Sequence, residues 1–284
     1  MPKIMDESSV PKNIDEVPVI AIMGSGGGYR ATCALSGVFC ALQESDVLDC
    51  CTYVAGLSGS SWYISTLYHH EGWPCQITCR EMADDLRKKY DTSMWSHFRP
   101  HFLKHMKDKE RKGQPVRLVD FFGQFIGDCL LDNQQSKLSN QGYKIMNGEA
   151  PLPITTGIRV RLDLPAAEFS EWMEFTPFEY CIAKYGVFAK TKDFGGKFYK
   201  GRLVKPFEEP PLSFLQGIWG SAFGIILHTL LYKKDKTEND LQQEIVQSAL
   251  DGASRCKTED DESEAEDDEL AEDETGGRME MFLV

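Results

Sequence analysis

Two short stretches carry residue types and spacings that chemistry needs. The first is Gly56-Leu57-Ser58-Gly59-Ser60, preceded by the apolar Tyr53-Val54-Ala55 and followed by Ser61-Trp62. It reads as a strand, a tight turn and the start of a helix. A serine between glycines at that junction is the pattern of a nucleophile elbow, where a sharp turn pushes the hydroxyl out of the backbone. The fifth position is Ser60, where the G-x-S-x-G pattern has glycine. A Gly/Ser turn that only caps a helix has the same composition.

The second stretch is Gly24-Ser25-Gly26-Gly27-Gly28-Tyr29-Arg30, between the apolar run Val17–Met23 and a periodic segment with Ala31, Ala34, Leu35, Val38, Phe39 and Leu42. A strand, a glycine loop and a helix are expected. Such a loop leaves backbone N–H groups bare at the positive end of the helix dipole, where a phosphate or a developing oxyanion can sit. Together the two stretches form an acyl-transfer constellation. Ser58 attacks an ester carbonyl, the N–H groups of Gly27 and Gly28 hold the oxyanion, and Arg30 pairs with a substrate phosphate through its planar fork. An ordinary surface ion pair is the other reading of Arg30.

A serine nucleophile also needs a base. Of the six histidines, His69 lies eleven residues past Ser58 on the expected helix, or ~16 Å along its axis, and cannot reach the hydroxyl. His70, His97, His101, His105 and His228 have no motif around them. A second reading of the glycine loop, Gly26-x-Gly28-x-x-Ala31 with Asp49 as a ribose-binding acid, is a variant dinucleotide fingerprint. Asp49 precedes the next strand instead of ending it.

The two motifs resemble the catalytic domain of the cytosolic (group IV) phospholipase A2 family, relatives of the patatin-type acyl hydrolases. The similarity continues through Gly113–Val116, Phe175–Tyr180, Ala183–Gly186 and Gly217–Phe223, so that it covers about Val17 to Leu231. The resemblance implies an α/β fold, a layered sheet flanked by helices, and phospholipase A2 or lysophospholipase activity. It assigns Ser58, Gly27, Gly28 and Arg30 the roles given above. It implies a Ser–Asp dyad without histidine, the aspartate standing in an Asp-Ser/Ala-Gly turn after an apolar strand. Asp251-Gly252-Ala253 is the one lookalike, and it follows a helical pattern, where Asp-Gly commonly forms a C-terminal cap. The expectation is therefore a partial copy of the domain, with its dyad aspartate outside these residues, that is essentially inactive alone. A catalytically dead lipid-binding or interaction protein is the alternative. No metal or organic cofactor is expected; calcium would act only through a separate membrane-targeting domain. The expected partner is a phospholipid membrane surface, not nucleic acid, reached peripherally from the cytosol.

Composition sets the remaining bounds. The 284 residues are 42% apolar, which suffices for a sizeable core. The net charge of −13 is local, because twelve of the sixteen residues Glu259–Glu274 are acidic and the rest of the chain is near neutral. Nine cysteines without metal or framework spacing point to reduced thiols. No apolar run approaches the ~20 residues of a membrane span, and the first residues do not resemble a signal peptide. The expected organisation is a polar segment 1–16, a partial catalytic domain 17–257 and an acidic disordered tail 258–284. Helices are expected over Arg80–Tyr90, Lys104–Lys112, from a cap at Asp120, over Leu212–Tyr232 and over Thr237–Leu250. Strands are expected at Ile154–Leu162 and Trp172–Thr176, with turns at Gly72-Trp73-Pro74 and Asn147-Gly148. Lys104–Lys112, with four Lys and one Arg, is either a solvated helix or a basic patch facing anionic head groups.

Overall fold

A computed structural model describes residues 11–91, 107, 109–111, 116, 118–131, 136–161, 170–220 and 280–283. Its centre is a mixed seven-stranded sheet. Strands β1 (Ala21–Gly24), β2 (Tyr53–Leu57) and the first half of β3 (Leu152–Arg161) run parallel, Ala21 opposite Tyr53 and Tyr53 opposite Leu152. The sheet then turns antiparallel through β4 (Ser170–Phe175), β5 (Glu179–Ile182) and the edge strand β6 (Val187–Lys190). A separate two-stranded hairpin follows, β7 (Lys197–Tyr199) and β8 (Arg202–Lys205).

Strand β3 is twice as long as β2 and outruns it. Beyond the Leu57–Thr156 pair, its second half has β4 on one side and β9 (Glu280–Leu283) on the other, with Ile158 opposite Leu283. Since β4 already fills one side, β9 takes the lane that β2 leaves at Leu57. These four residues belong to the stretch expected as an acidic disordered tail; Glu259–Glu274 lie outside the described residues.

The longer helices among the described residues are α1 (Gly28–Glu44), α2 (Gly59–His69), α3 (Cys79–Tyr90), α4 (Leu118–Leu130) and α5 (Leu212–Trp219). Every residue of α2 from Gly59 to Tyr68 is buried. This helix is apolar or small all round because other elements cover it on every side. Phe39 of α1, Trp62, Tyr63 and Leu67 of α2, Leu86 of α3 and Ile126 of α4 share one core. A second core joins Met173 and Phe175 of β4 to Leu212, Leu215 and Trp219 of α5. Among the described residues, no helix is long and apolar enough to cross a membrane.

Several expectations shift. The first strand begins at Ala21, not Val17, because the ladder with β2 starts at the Ala21–Tyr53 pair. It is also an edge strand rather than a buried one, so Val19 and Met23 are 71% and 81% exposed. Helix α4 starts at Leu118, and Asp120 is not its cap; this buried carboxylate is ion-paired with Lys109. Lys109 also lies 4.2 Å from the centre of the Phe214 ring. One charge of the supposed basic patch is thus turned inward, and residues 104–106, 108 and 112 lie outside the described part. Helix α3 is fixed by a capping box that the sequence reading overlooked: Glu81 N–H donates to the Thr78 hydroxyl, and the Glu81 carboxylate accepts from Thr78 N–H at 2.8 Å. The Thr78 N–H, and after it the Thr78 hydroxyl, donate to that carboxylate and hold it below its ordinary pKa. The expected helix at 237–250 and the part of Leu212–Tyr232 beyond Gly220 lie outside the described residues.

Candidate active site

β2 ends at Leu57 and α2 begins at Gly59, so one residue makes the turn. Ser58 makes it with φ 51° and ψ −119°. For a residue with a side chain, this backbone costs about 1–3 kcal/mol and persists only where the surroundings over-determine it. Here they do. A Cβ on Gly59 would overlap the Gly28 carbonyl oxygen, and one on Gly56 would stand 2.7 Å from both Ile64 Cδ1 and Ser61 N. The glycines flanking Ser58 are thus required by close approach of other chain segments, not only by the turn.

The glycine loop is fastened to this elbow by side chains. The Ser60 hydroxyl donates to the Ser25 carbonyl at 2.6 Å. The residue that departs from G-x-S-x-G is therefore the clasp between the two motifs. Thr32, fully buried one turn into α1, donates to the Gly59 carbonyl at 2.8 Å, with the Gly28 carbonyl 3.1 Å away. Ser61 donates to the Gly56 carbonyl at 2.6 Å and Thr156 of β3 to the same oxygen at 3.0 Å. Tyr29 packs its ring 5.6 Å from that of Trp62, whose indole N–H donates to the Gln216 carbonyl of α5. Thr32, Ser60 and Ser61 are positioning residues that sequence reasoning missed. The available signal was the pair Ser60-Ser61 directly after the second glycine turn; Thr32, four residues past Gly28, stands alone.

Gly27 has φ 141° and Gly28 φ 57°, both in the region that favours glycine, and no side chain caps α1. Among the described residues no acceptor engages the Gly27 or Gly28 N–H. Gly26 borders Ser58, its would-be Cβ 3.3 Å from Ser58 Cβ. Arg30 is exposed in the first turn of α1 and forms no ion pair among the described residues, so the surface-pair reading does not hold there. The four expected site residues thus lie on two adjacent strand–loop–helix units, at the carboxyl ends of the parallel strands, where open α/β sheets bind ligands.

No described residue hydrogen-bonds the Ser58 hydroxyl. His69 sits at the far end of α2, its Nδ1 2.8 Å from the Ser136 hydroxyl. His70 Nδ1 accepts from Gly72 N–H. Asp251, His97, His101, His105 and His228 lie outside the described residues. Asp49 stands in the one-turn helix Leu48–Cys50 before β2, and the position a ribose-binding acid would take, at the end of β2, belongs to Ser58. The dinucleotide reading fails on that geometry.

Known proteins resemble this chain over most of its length. The sequence model of the lysophospholipase catalytic domain matches residues 20–277. Human cytosolic phospholipase A2 zeta is 37% identical over 223 residues, which cover 77% of this chain and 26% of that protein. The structure of human GIVD cytosolic phospholipase A2 superposes with a TM-score of 0.71 at 34% identity, covering 75% of this chain and 29% of that one. The same human enzyme in complex with methyl γ-linolenyl fluorophosphonate and terbium chloride superposes with a TM-score of 0.65 at 33% identity, covering 72% and 30%. The chain thus spans less than a third of the length of these relatives.

Proposed function

The chain belongs to the lysophospholipase catalytic domain family, and on that premise we propose that it carries the nucleophile, oxyanion cradle and phosphate clamp of a phospholipase A2-type serine hydrolase. Its substrate class is the glycerophospholipid of a membrane surface, met peripherally from the cytosol. The reading rests above all on the backbone of Ser58, held at φ 51° by close approach of the glycine loop. In this reading, the Ser58 oxygen attacks an acyl ester carbonyl. The Gly27 and Gly28 N–H groups receive the developing oxyanion, each worth about 3 kcal/mol of transition-state stabilisation. Collapse expels the lysolipid alcohol and leaves an acyl-serine ester, which water hydrolyses to free fatty acid and serine. Arg30 binds the head-group phosphate through two parallel N–H bonds. The proposed chemistry draws on no metal or organic cofactor. Fluorophosphonates phosphonylate activated serines as a class, so the relative solved with one supports a serine nucleophile for this chain too.

The absence of a described partner for the Ser58 hydroxyl favours a second reading: a chain that binds lipid without turning it over, because a neutral serine hydroxyl without a base is a poor nucleophile. Fatty-acid release from phosphatidylcholine vesicles separates the two. Release that is lost in Ser58→Ala carries the hydrolase reading; vesicle binding with no release in the unaltered chain carries the second. If release is seen, Arg30→Lys lowers it at least tenfold on phospholipid and much less on an ester without phosphate. Equal losses on both substrates make Arg30 structural.

A further inference from the structure

The β7–β8 hairpin is a two-stranded ribbon whose every residue is exposed on both strands. Such a ribbon is marginal on its own in water, yet it carries large apolar side chains. Tyr199 is 64% and Val204 61% exposed, beside Phe198 at 41%. It also concentrates one sign of charge. Lys197, Lys200, Arg202 and Lys205 are four of the nine residues from Lys197 to Lys205, which include no acid. None of the four forms an ion pair among the described residues. The turn Lys200-Gly201, with φ 48° and 75°, is the type that tightens a two-residue hairpin. It puts Tyr199 directly opposite Arg202 and Phe198 opposite Leu203. Strand alternation then gathers Tyr199, Arg202 and Val204 on one side of the ribbon. The Lys200 ammonium lies 5.5 Å from the Tyr199 ring centre.

We propose that this hairpin is a membrane-docking tip that inserts Tyr199 and Val204 at the head-group level of an anionic phospholipid surface while Lys200 and Arg202 pair with lipid phosphates and carboxylates. Aromatic rings with a polar end favour that depth, where one end is wet and the other apolar. Each cation near an anionic surface adds about 1 kcal/mol. A second copy of the hairpin is excluded as occupant by like charge. The chain's own acidic tract Glu259–Glu274 complements the charge, but it offers almost no apolar surface to cover Tyr199 and Val204. The hairpin lies about 140 residues from Ser58 in sequence. The inference rests on the phospholipid reading above for its biological sense only, not for its physics.

The test is sedimentation of the full chain with phosphatidylcholine vesicles containing or lacking phosphatidylserine. Binding is expected to require phosphatidylserine and to weaken as salt rises. The pair Lys200→Glu with Arg202→Glu should lower apparent affinity at least about twentyfold, and Tyr199→Ala severalfold, with unchanged thermal melting. Tyr199→Phe should keep most of the affinity. Site-mapped fluorophosphonate labelling, read in parallel, should not differ between the unaltered chain and these variants. Loss of labelling at Ser58 with retained hairpin-dependent binding leaves the inference standing and the hydrolase reading fallen. Vesicle binding indifferent to all these changes overturns the inference. So does tight binding of single-stranded RNA with no vesicle preference, or crosslinking of Lys200 to Glu259–Glu274 without vesicle binding, which would give the surface to the acidic tract.

Discussion

The elbow and the β7–β8 hairpin both contain a tight turn with a non-glycine residue at positive φ, Ser58 at 51° and Lys200 at 48°. Around Ser58, two glycines touch foreign backbone or side chains, the hydroxyls of Thr32 and Ser60 tie the two motifs together, and Ser61 braces the elbow through the Gly56 carbonyl. Around Lys200 nothing does: a Cβ on Gly201 would meet no atom within 4 Å, and both strands face water. The same local geometry is enforced from outside in one place and chosen by the turn sequence in the other. A group that must meet a reacting carbon within a fraction of an ångström needs the first kind of support. A surface that meets a fluid partner does not.

The largest effect expected from this contrast is on glycine replacement. Gly59→Ala drives a Cβ into the Gly28 carbonyl and should lower unfolding free energy in urea by about 3 kcal/mol or more. Gly201→Ala should cost about 1 kcal/mol, from its positive φ alone. Similar losses at both sites would erase the distinction between the turns. Next in size, Thr32→Val keeps the shape of a fully buried side chain but removes the side-chain hydrogen bond to the Gly59 carbonyl and with it one tie between the two motifs. It should cost about 1–3 kcal/mol by the same measurement. An unchanged midpoint would mean that the clasp is not needed to hold the elbow.

Much of this was legible in the residues. Strand–glycine–helix patterns gave both motifs their elements, and β3, β4 and α3 lie within a few residues of where apolar periodicity puts them. The turn at Ser58 was legible because a serine among glycines at a strand–helix junction calls for a sharp, positive-φ turn. What periodicity could not show was burial from outside: Val19 and Met23 look like core residues but lie at an edge that no described element covers. Asp120 looks like a cap because aspartate before an apolar helix usually is one, but the helix starts two residues earlier and the carboxylate pairs with Lys109. Ser60 looked like a defect in the motif because its partner, the Ser25 carbonyl, lies 35 residues away in sequence. The strand Glu280–Leu283 is apolar for only three residues, too short a signal beside the acidic tract to stand out.

The smallest stability effect is the most specific. Relief of the strain at Ser58 by Ser58→Gly should raise unfolding free energy by about 1 kcal/mol, whereas Ser58→Ala, still bearing a Cβ, should leave it nearly unchanged. Equal stability of the two variants would show that the turn stores no strain.

The most direct measurement of the central claim, that Ser58 is a pre-set nucleophile, is prolonged labelling of the chain with a fluorophosphonate, followed by mass-spectrometric mapping of the modified serine. Label should accumulate at Ser58 alone, be absent from Ser58→Ala and be slowed by Thr32→Val. Without a described base on its hydroxyl, Ser58 should react about 10³-fold or more slowly than the serine of the human GIVD enzyme under the same conditions, because the oxyanion cradle acts without proton transfer. Label on Ser60, Ser61 or Ser136 with none at Ser58 would contradict the assignment. Labelling of Ser58 as fast as in the human enzyme would show that the chain already supplies the base.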